Sequence, residues 1–140
     1  MYDQKMYPYY CVLGLMLLTP YNLVGITMRS LCQGALRLID GNLAELYKRE
    51  KLFKNRAEIE EGLVASYAEH VEEMDKKRAQ EADAMIRRYY IRQRDQWRSF
   101  RAEHKKRLKE ITEKLTALQT QIDGQEKERM RCIREVYPLF

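Results

Sequence analysis

Proline and glycine are scarce in this chain. The three prolines are Pro8, Pro20 and Pro138, and neither residue type occurs from Leu63 to Asp123. Compact domains reverse direction at turns that draw on Gly, Pro, Asn and Asp. Their absence excludes a string of short elements and predicts long helix. Cysteine is equally thin. Cys11, Cys32 and Cys132 make no C-x-x-C and no Cys/His zinc spacing, so neither a disulfide framework nor a structural metal is expected. They read as small buried apolar residues, consistent with a reducing compartment. Only His70 and His104 could serve as neutral-pH bases. Neither lies in H-E-x-x-H, and no glycine-rich loop could cradle a phosphate. No catalytic residues, cofactor or metal are therefore expected, and the chain does not read as an enzyme.

Charge is abundant but unevenly placed. The net charge of +5 conceals a net +4 over residues 1–57, −6 over 58–83, +8 over 84–109 and −1 over 110–140. Bands of this kind suit a helix lying along partners of alternating sign, or else a solvated face on which like charges happen to cluster.

The longest uncharged run is "YPYYCVLGLMLLTPYNLVGITM", Tyr7–Met28. At a rise of ~1.5 Å per residue it gives about 33 Å of helix, close to the hydrocarbon thickness of a bilayer. Tyr7, Tyr9 and Tyr10 stand where amphipathic aromatics favour the headgroup level, and Arg29 closes the other end. The leader "MYDQK" is not net basic and no A-x-A site follows, which argues against a cleaved secretory signal; the stretch would act as an internal signal. Pro20 removes one helical hydrogen bond. Either it kinks a span whose freed groups a neighbouring helix covers, or Thr19 caps a new interfacial helix with Pro20 at its first position. Only Lys5 precedes the run, whereas Arg29, Arg37, Lys48, Arg49, Lys51, Lys54 and Arg56 follow it. The Lys/Arg bias places the long C-terminal part on the positive-inside face.

Beyond the run the expected class is all-α. The expected divisions are an N-terminal transmembrane segment (1–28), an amphipathic joint (29–42), one long charged helix (43–123) and a short C-terminal helix with its tail (124–140). Asp40-Gly41 reads as a turn, and Asn42 with Glu45 as the capping box of a helix starting near Leu43. Helical spacing links Leu52, Ile59, Leu63, Tyr67, Val71, Met74, Ala82, Met85 and Tyr89, then Trp97, Phe100, His104 and Leu108. Leu108, Ile111, Leu115, Leu118 and Ile122 repeat at 3-4-3-4, a coiled-coil seam. A second short stripe, Met130, Ile133 and Val136, follows Gly124. A straight amphipathic helix of this length has no core of its own, so its stripe needs a partner or self-association; a fold-back into a hairpin is the alternative, although no Gly or Pro marks its bend.

Two places carry candidate chemistry. Glu69 and Glu73, either side of His70, stand one turn apart and could hold a cation, although a solvated acidic face is the plainer reading; His104 reads as a packed histidine. The stronger feature is "RRYYIRQRDQWRSFRAEHKKRLK", Arg87–Lys109. Its Arg87, Arg88, Arg92, Arg94, Trp97, Arg98, Arg101, Lys105, Lys106 and Arg107 are the candidate partner- or lipid-binding residues. Cations neutralise phosphates and aromatics stack on unpaired bases, and the same cations meet acidic protein or anionic headgroups such as cardiolipin.

A short uncharged N-terminal span, a basic joint and a long charged helix resemble the single-pass accessory subunits of mitochondrial inner-membrane complexes. More loosely, they resemble the peripheral-stalk b subunit of F-type ATP synthases. Gly41-Asn42, the "KREK" of Lys48–Lys51, Arg56, Leu63 and Ala65 are similar to the run that follows the transmembrane helix in one accessory subunit of respiratory complex I. The resemblance implies a non-catalytic subunit bracing its neighbours, single-pass in the mitochondrial inner membrane, with its C-terminal part in the matrix. Its partners would be other subunits of a large complex and membrane lipids. An RNA-binding component of a mitochondrial ribosome and a self-associating membrane-anchored tether are the alternatives, with nucleic acid the weaker partner class.

Overall fold

The structure, a computed structural model, describes the backbone of residues 24–137 and the side chains of residues 30–137. The run Tyr7–Met28 therefore falls largely outside the described residues, together with Pro20 and the tail 138–140. Among the described residues, no helix is long and apolar enough to cross a membrane.

The protein is all-α. Helix α1 runs Val24–Gln80 and helix α2 runs Ala84–Val136. The single uninterrupted helix expected over 43–123 is thus two helices, and the chain turns between them without glycine or proline. Asp83 explains how. Its Oδ1 accepts hydrogen bonds from the backbone N–H of Met85 at 2.7 Å and of Ile86 at 3.3 Å, so it caps α2. Its carbonyl accepts from Arg87 N–H at 3.0 Å, and its own N–H donates to the Glu81 carboxylate at 3.0 Å. Side chains thereby satisfy backbone groups that α1 and α2 leave open at the break. Lys77 and Arg78 in the last turn of α1 complement its C-terminal dipole.

Two further expected boundaries are absent. The joint over 29–42 is helical throughout, and α1 passes Gly41 without a turn. Helix α2 likewise passes Gly124, so no separate C-terminal helix begins there. No described glycine has a positive φ. A helical glycine costs only about 1 kcal/mol relative to alanine. Burial of Ile39 and Leu43 beside Gly41, and of Ile122 beside Gly124, is worth about 1.5–3 kcal/mol per side chain.

The described residues divide into two compact units. In the first, residues 32–47 of α1 pack antiparallel on residues 120–136 of α2. Its core is Ile39, Leu43, Ile122 and Cys132, flanked by Ala35, Leu36 and Leu46. Arg129 Nε donates to Asp40 at 2.7 Å, and the Tyr47 hydroxyl donates to Glu126 at 2.9 Å. The second unit, Lys48–Gln119, is a helical hairpin closed by residues 81–83.

Both helices bury one stripe with unbroken 3-4 spacing. On α1 the covered positions are Cys32, Leu36, Ile39, Leu43, Leu46, Glu50, Phe53, Ala57, Glu60, Val64, Tyr67, Val71, Met74 and Arg78. On α2 they are Tyr90, Arg94, Trp97, Arg101, His104, Leu108, Ile111, Leu115, Leu118, Ile122, Gln125, Arg129, Cys132 and Val136. This is the spacing of helices that pair by side-chain knobs in opposing holes. Of the expected seam Leu108–Ile122, Leu118 and Ile122 are buried and Leu108, Ile111 and Leu115 are half-buried within the chain. The longer stripe expected before it was drawn through apolar residues alone and drifted off the seam. Ile59 is 63% exposed, Met85 79% and Tyr89 57%. Met130, expected on the last apolar side, is exposed, whereas Cys132 and Val136 are buried.

Candidate interaction surface

The charge bands of α1 and α2 meet each other inside the hairpin unit. Asp75, in the acidic band of α1, accepts Arg94 of α2 at 3.2 Å, and Arg98 lies 3.8 Å from its other oxygen. Arg78 of α1 reaches the same carboxylate at 3.8 Å. Arg94 also donates to its neighbour Asp95 at 3.0 Å, and these two carboxylates, Asp95 foremost, hold its guanidinium still more firmly protonated. The alternating bands that suggested an external partner thus have part of their complement in the same chain. Much of the remaining acid is spent along α1 itself. Glu72 pairs with Lys76 at 2.9 Å and Glu73 with Lys77 at 2.6 Å, and each lysine, chiefly by its hydrogen bond, draws its carboxyl below the usual range.

Under the basic stretch lies a cluster of rings. Tyr67 of α1 stacks on Trp97 of α2 with centroids 5.7 Å apart, and lies 5.9 Å from Phe100 and 5.3 Å from His104. His70 also stacks on Trp97, at 4.6 Å with the ring planes 24° apart. Nδ1 of His104 lies 2.5 Å from Oε2 of Glu60, and both side chains are only about one-seventh exposed, at 14% and 15%. His104 is thus a packed, partnered histidine, as its place in the sequence indicated. His70 is committed to Trp97 and lies 3.8 Å from Glu73, so it is more than part of a solvated acidic face. Among the described residues, no three or more His, Cys, Asp or Glu side chains are grouped to hold a metal ion.

The candidate binding residues divide accordingly. Arg94, Trp97 and Arg101 occupy the seam and are half-buried. Trp97 is engaged by the rings of Tyr67, His70 and Phe100. Arg101 keeps its Nε buried without a hydrogen-bond partner. Arg98 is exposed and leans on Asp75, while Arg107 is exposed and pairs with Glu103 at 2.5 Å. Arg87, Arg88, Arg92, Lys105 and Lys106 are exposed, and no side-chain ion pair involves them among the described residues. The usable surface is therefore a subset of the predicted one, and near residues 81–83 it carries exposed apolar side chains: Met85, Ile86 and Tyr89.

Sequence reasoning missed the contribution of α1 to this region. Tyr67 was placed on an apolar stripe, but Glu60 was not singled out. The available signal was the 3-4 series Ala57, Glu60, Val64, Tyr67, Val71, in which a carboxylate occupies an otherwise apolar register and so demands a partner.

The described part of the chain is thus defined as antiparallel helix pairs with a cationic outer face. Compared with protein-family models, curated proteins and solved structures, the chain matches none.

Proposed function

We propose that the chain is a non-catalytic accessory subunit of a membrane-embedded complex, held by its uncharged N-terminal run and bracing neighbouring subunits with its helix pairs. The observation that carries this reading is how little the helices enclose. Among the described residues no side chain is less than 2% exposed. Large apolar side chains, Leu38 at 69% and Ile59 at 63% among them, stand outside the seam, where a neighbouring protein surface would cover them. The uncharged run of Tyr7–Met28 and the Lys/Arg excess after it support a single span with the helix pairs on the positive-inside face. The resemblance to complex I accessory subunits supports the mitochondrial inner membrane and the respiratory chain, with ATP synthase the next choice. The exposed cations Arg87, Arg88, Arg92, Lys105 and Lys106 would meet acidic protein or anionic lipid of that complex.

A membrane-anchored tether self-associating through Leu108–Ile122 is the weaker reading, because Leu118 and Ile122 are already buried within the chain. Alkaline carbonate extraction of source membranes, followed by native fractionation and mass spectrometry, tests the proposal. Retention in the membrane and co-migration with a respiratory complex is the expected outcome. Release by carbonate, with migration alongside ribosomes, would overturn it in favour of RNA binding by the basic face.

A further inference from the structure

Cys32 of α1 and Cys132 of α2 are both buried, at 6% and 7% exposure, and both are free thiols. Each occupies its helix's seam, and the antiparallel register brings them within about one helical turn of each other. Asp40 meets Arg129, and Cys32 reaches Glu135, its Sγ–H donating to Oε2 at 3.6 Å. The seam positions of α2 that bracket this level are Cys132 and Val136. Cys132 itself contacts the Ile39–Leu43–Ile122 cluster of the same unit. Glu135, whose carboxylate accepts from Cys32, stands three residues from Cys132, one turn along the same helix. A disulfide needs Cα atoms about 5.5–6 Å apart, so closing the bond draws the two helix backbones together at this point.

We propose that Cys32 and Cys132 form a reversible dithiol–disulfide couple that staples α1 to α2 when the chain meets a small disulfide oxidant such as oxidised glutathione. In the first step one cysteine thiolate attacks a sulfur of the oxidant. A mixed disulfide forms, the oxidant's S–S bond breaks, and one glutathione thiolate leaves. In the second step the other cysteine attacks the protein-bound sulfur of that mixed disulfide. The Cys32–Cys132 bond forms and the second glutathione thiolate leaves. Two cysteine thiols are oxidised, one glutathione disulfide is reduced to two thiols, and the cysteines' two protons pass to the departing thiolates through solvent. When Cys32 is the attacking group, the Glu135 carboxylate that accepts its hydrogen bond is placed to take its proton first.

The surroundings set the pace. Burial foremost, then Glu135, pushes the Cys32 thiol up from its ordinary value. Burial foremost, then Glu128, Cys32 and Glu135, does the same for Cys132; Arg131 opposes the rise at both. A raised thiol pKa means less thiolate at neutral pH, so the staple closes slowly near neutrality and faster as pH rises. Closing it ties residues a hundred positions apart, which removes much unfolded-chain freedom.

The test uses the full-length chain in detergent micelles, in a Cys11→Ser background that removes the third thiol. It is incubated with oxidised glutathione and read by intact mass and peptide mapping. The expected result is loss of two hydrogens with no glutathione retained, tryptic peptides Ser30–Arg37 and Cys132–Arg134 joined, and reversal by dithiothreitol. The oxidised chain should melt higher by on the order of 10 °C. Cys132→Ser should stop at one retained glutathione while matching the reduced parent in circular dichroism. Two retained glutathiones, chain-to-chain dimers, or thiols that stay alkylatable after prolonged oxidation in mild alkali would each overturn the couple. The peptide map of the parent decides the matter even if a serine variant folds poorly.

Discussion

The Glu60–His104 pair allows a quantitative test of how polar residues fit into the seam. Each side chain is about 85% removed from solvent, and Nδ1 and Oε2 are 2.5 Å apart. Substituting His104→Phe keeps a ring against Tyr67, whose centroid is 5.3 Å away, and removes only the hydrogen bond. Glu60 is then buried without its partner, which costs about 1–3 kcal/mol. Glu60→Leu strands the imidazole nitrogen and costs a similar amount. The double variant Glu60→Leu/His104→Phe leaves an apolar layer with no unpaired group and should lie close to the parent. The singles should therefore not add: with the double near the parent, the coupling equals the sum of the two single costs, about 2–6 kcal/mol. With a urea slope near 2 kcal/mol per molar, each single lowers the unfolding midpoint by about 0.5–1.5 M. Trp97 is the only tryptophan and sits in the adjoining ring cluster, so its fluorescence reports this unit specifically. Far-UV circular dichroism follows the helices as a whole. Additive singles, with coupling below about 0.3 kcal/mol, would refute the claim that the pair occupies the seam as a mutually satisfied unit.

Asp83→Ala removes the side-chain cap from Met85 and Ile86 at the hairpin turn and should cost about 1 kcal/mol, whereas Asp83→Asn should cost only a few tenths; urea midpoints distinguish them. The Glu72–Lys76 and Glu73–Lys77 pairs carry a definite pH sign. Their carboxyls are held below the ordinary value of 4.5. The stability they contribute is therefore present above that value and is lost as pH falls through the lowered one. The double variant Glu72→Gln/Glu73→Gln should melt below the parent at neutral pH and converge with it in strong acid. High salt should shrink the neutral-pH gap, because the pairs are exposed.

How much was legible in the sequence depended on whether the deciding interaction was local. The scarcity of Gly and Pro and the apolar spacing from Leu108 to Ile122 established long helices by themselves, because backbone propensity and 3.6-residue periodicity act within a few residues. His104 as a packed residue was legible for the same reason. The charge bands were legible too, since they are simply composition. The turn at 81–83 was not legible although its cap is local: the Asp83 side chain bonds only to Met85 and Ile86, but a lone Asp in a charged helix is otherwise unremarkable, and the tertiary structure decided that the chain folds back there. It also decided that Gly41 and Gly124 stay helical, through the burial of neighbours contributed by the opposite helix. Above all it decided the true seam. Glu60, Arg94 and Arg129 interrupt its apolar pattern, and their places become intelligible only when His104, Asp75 and Asp40 of the opposite helix are brought alongside. Side-chain periodicity is written in one helix; the satisfaction of a buried charge is a property of two.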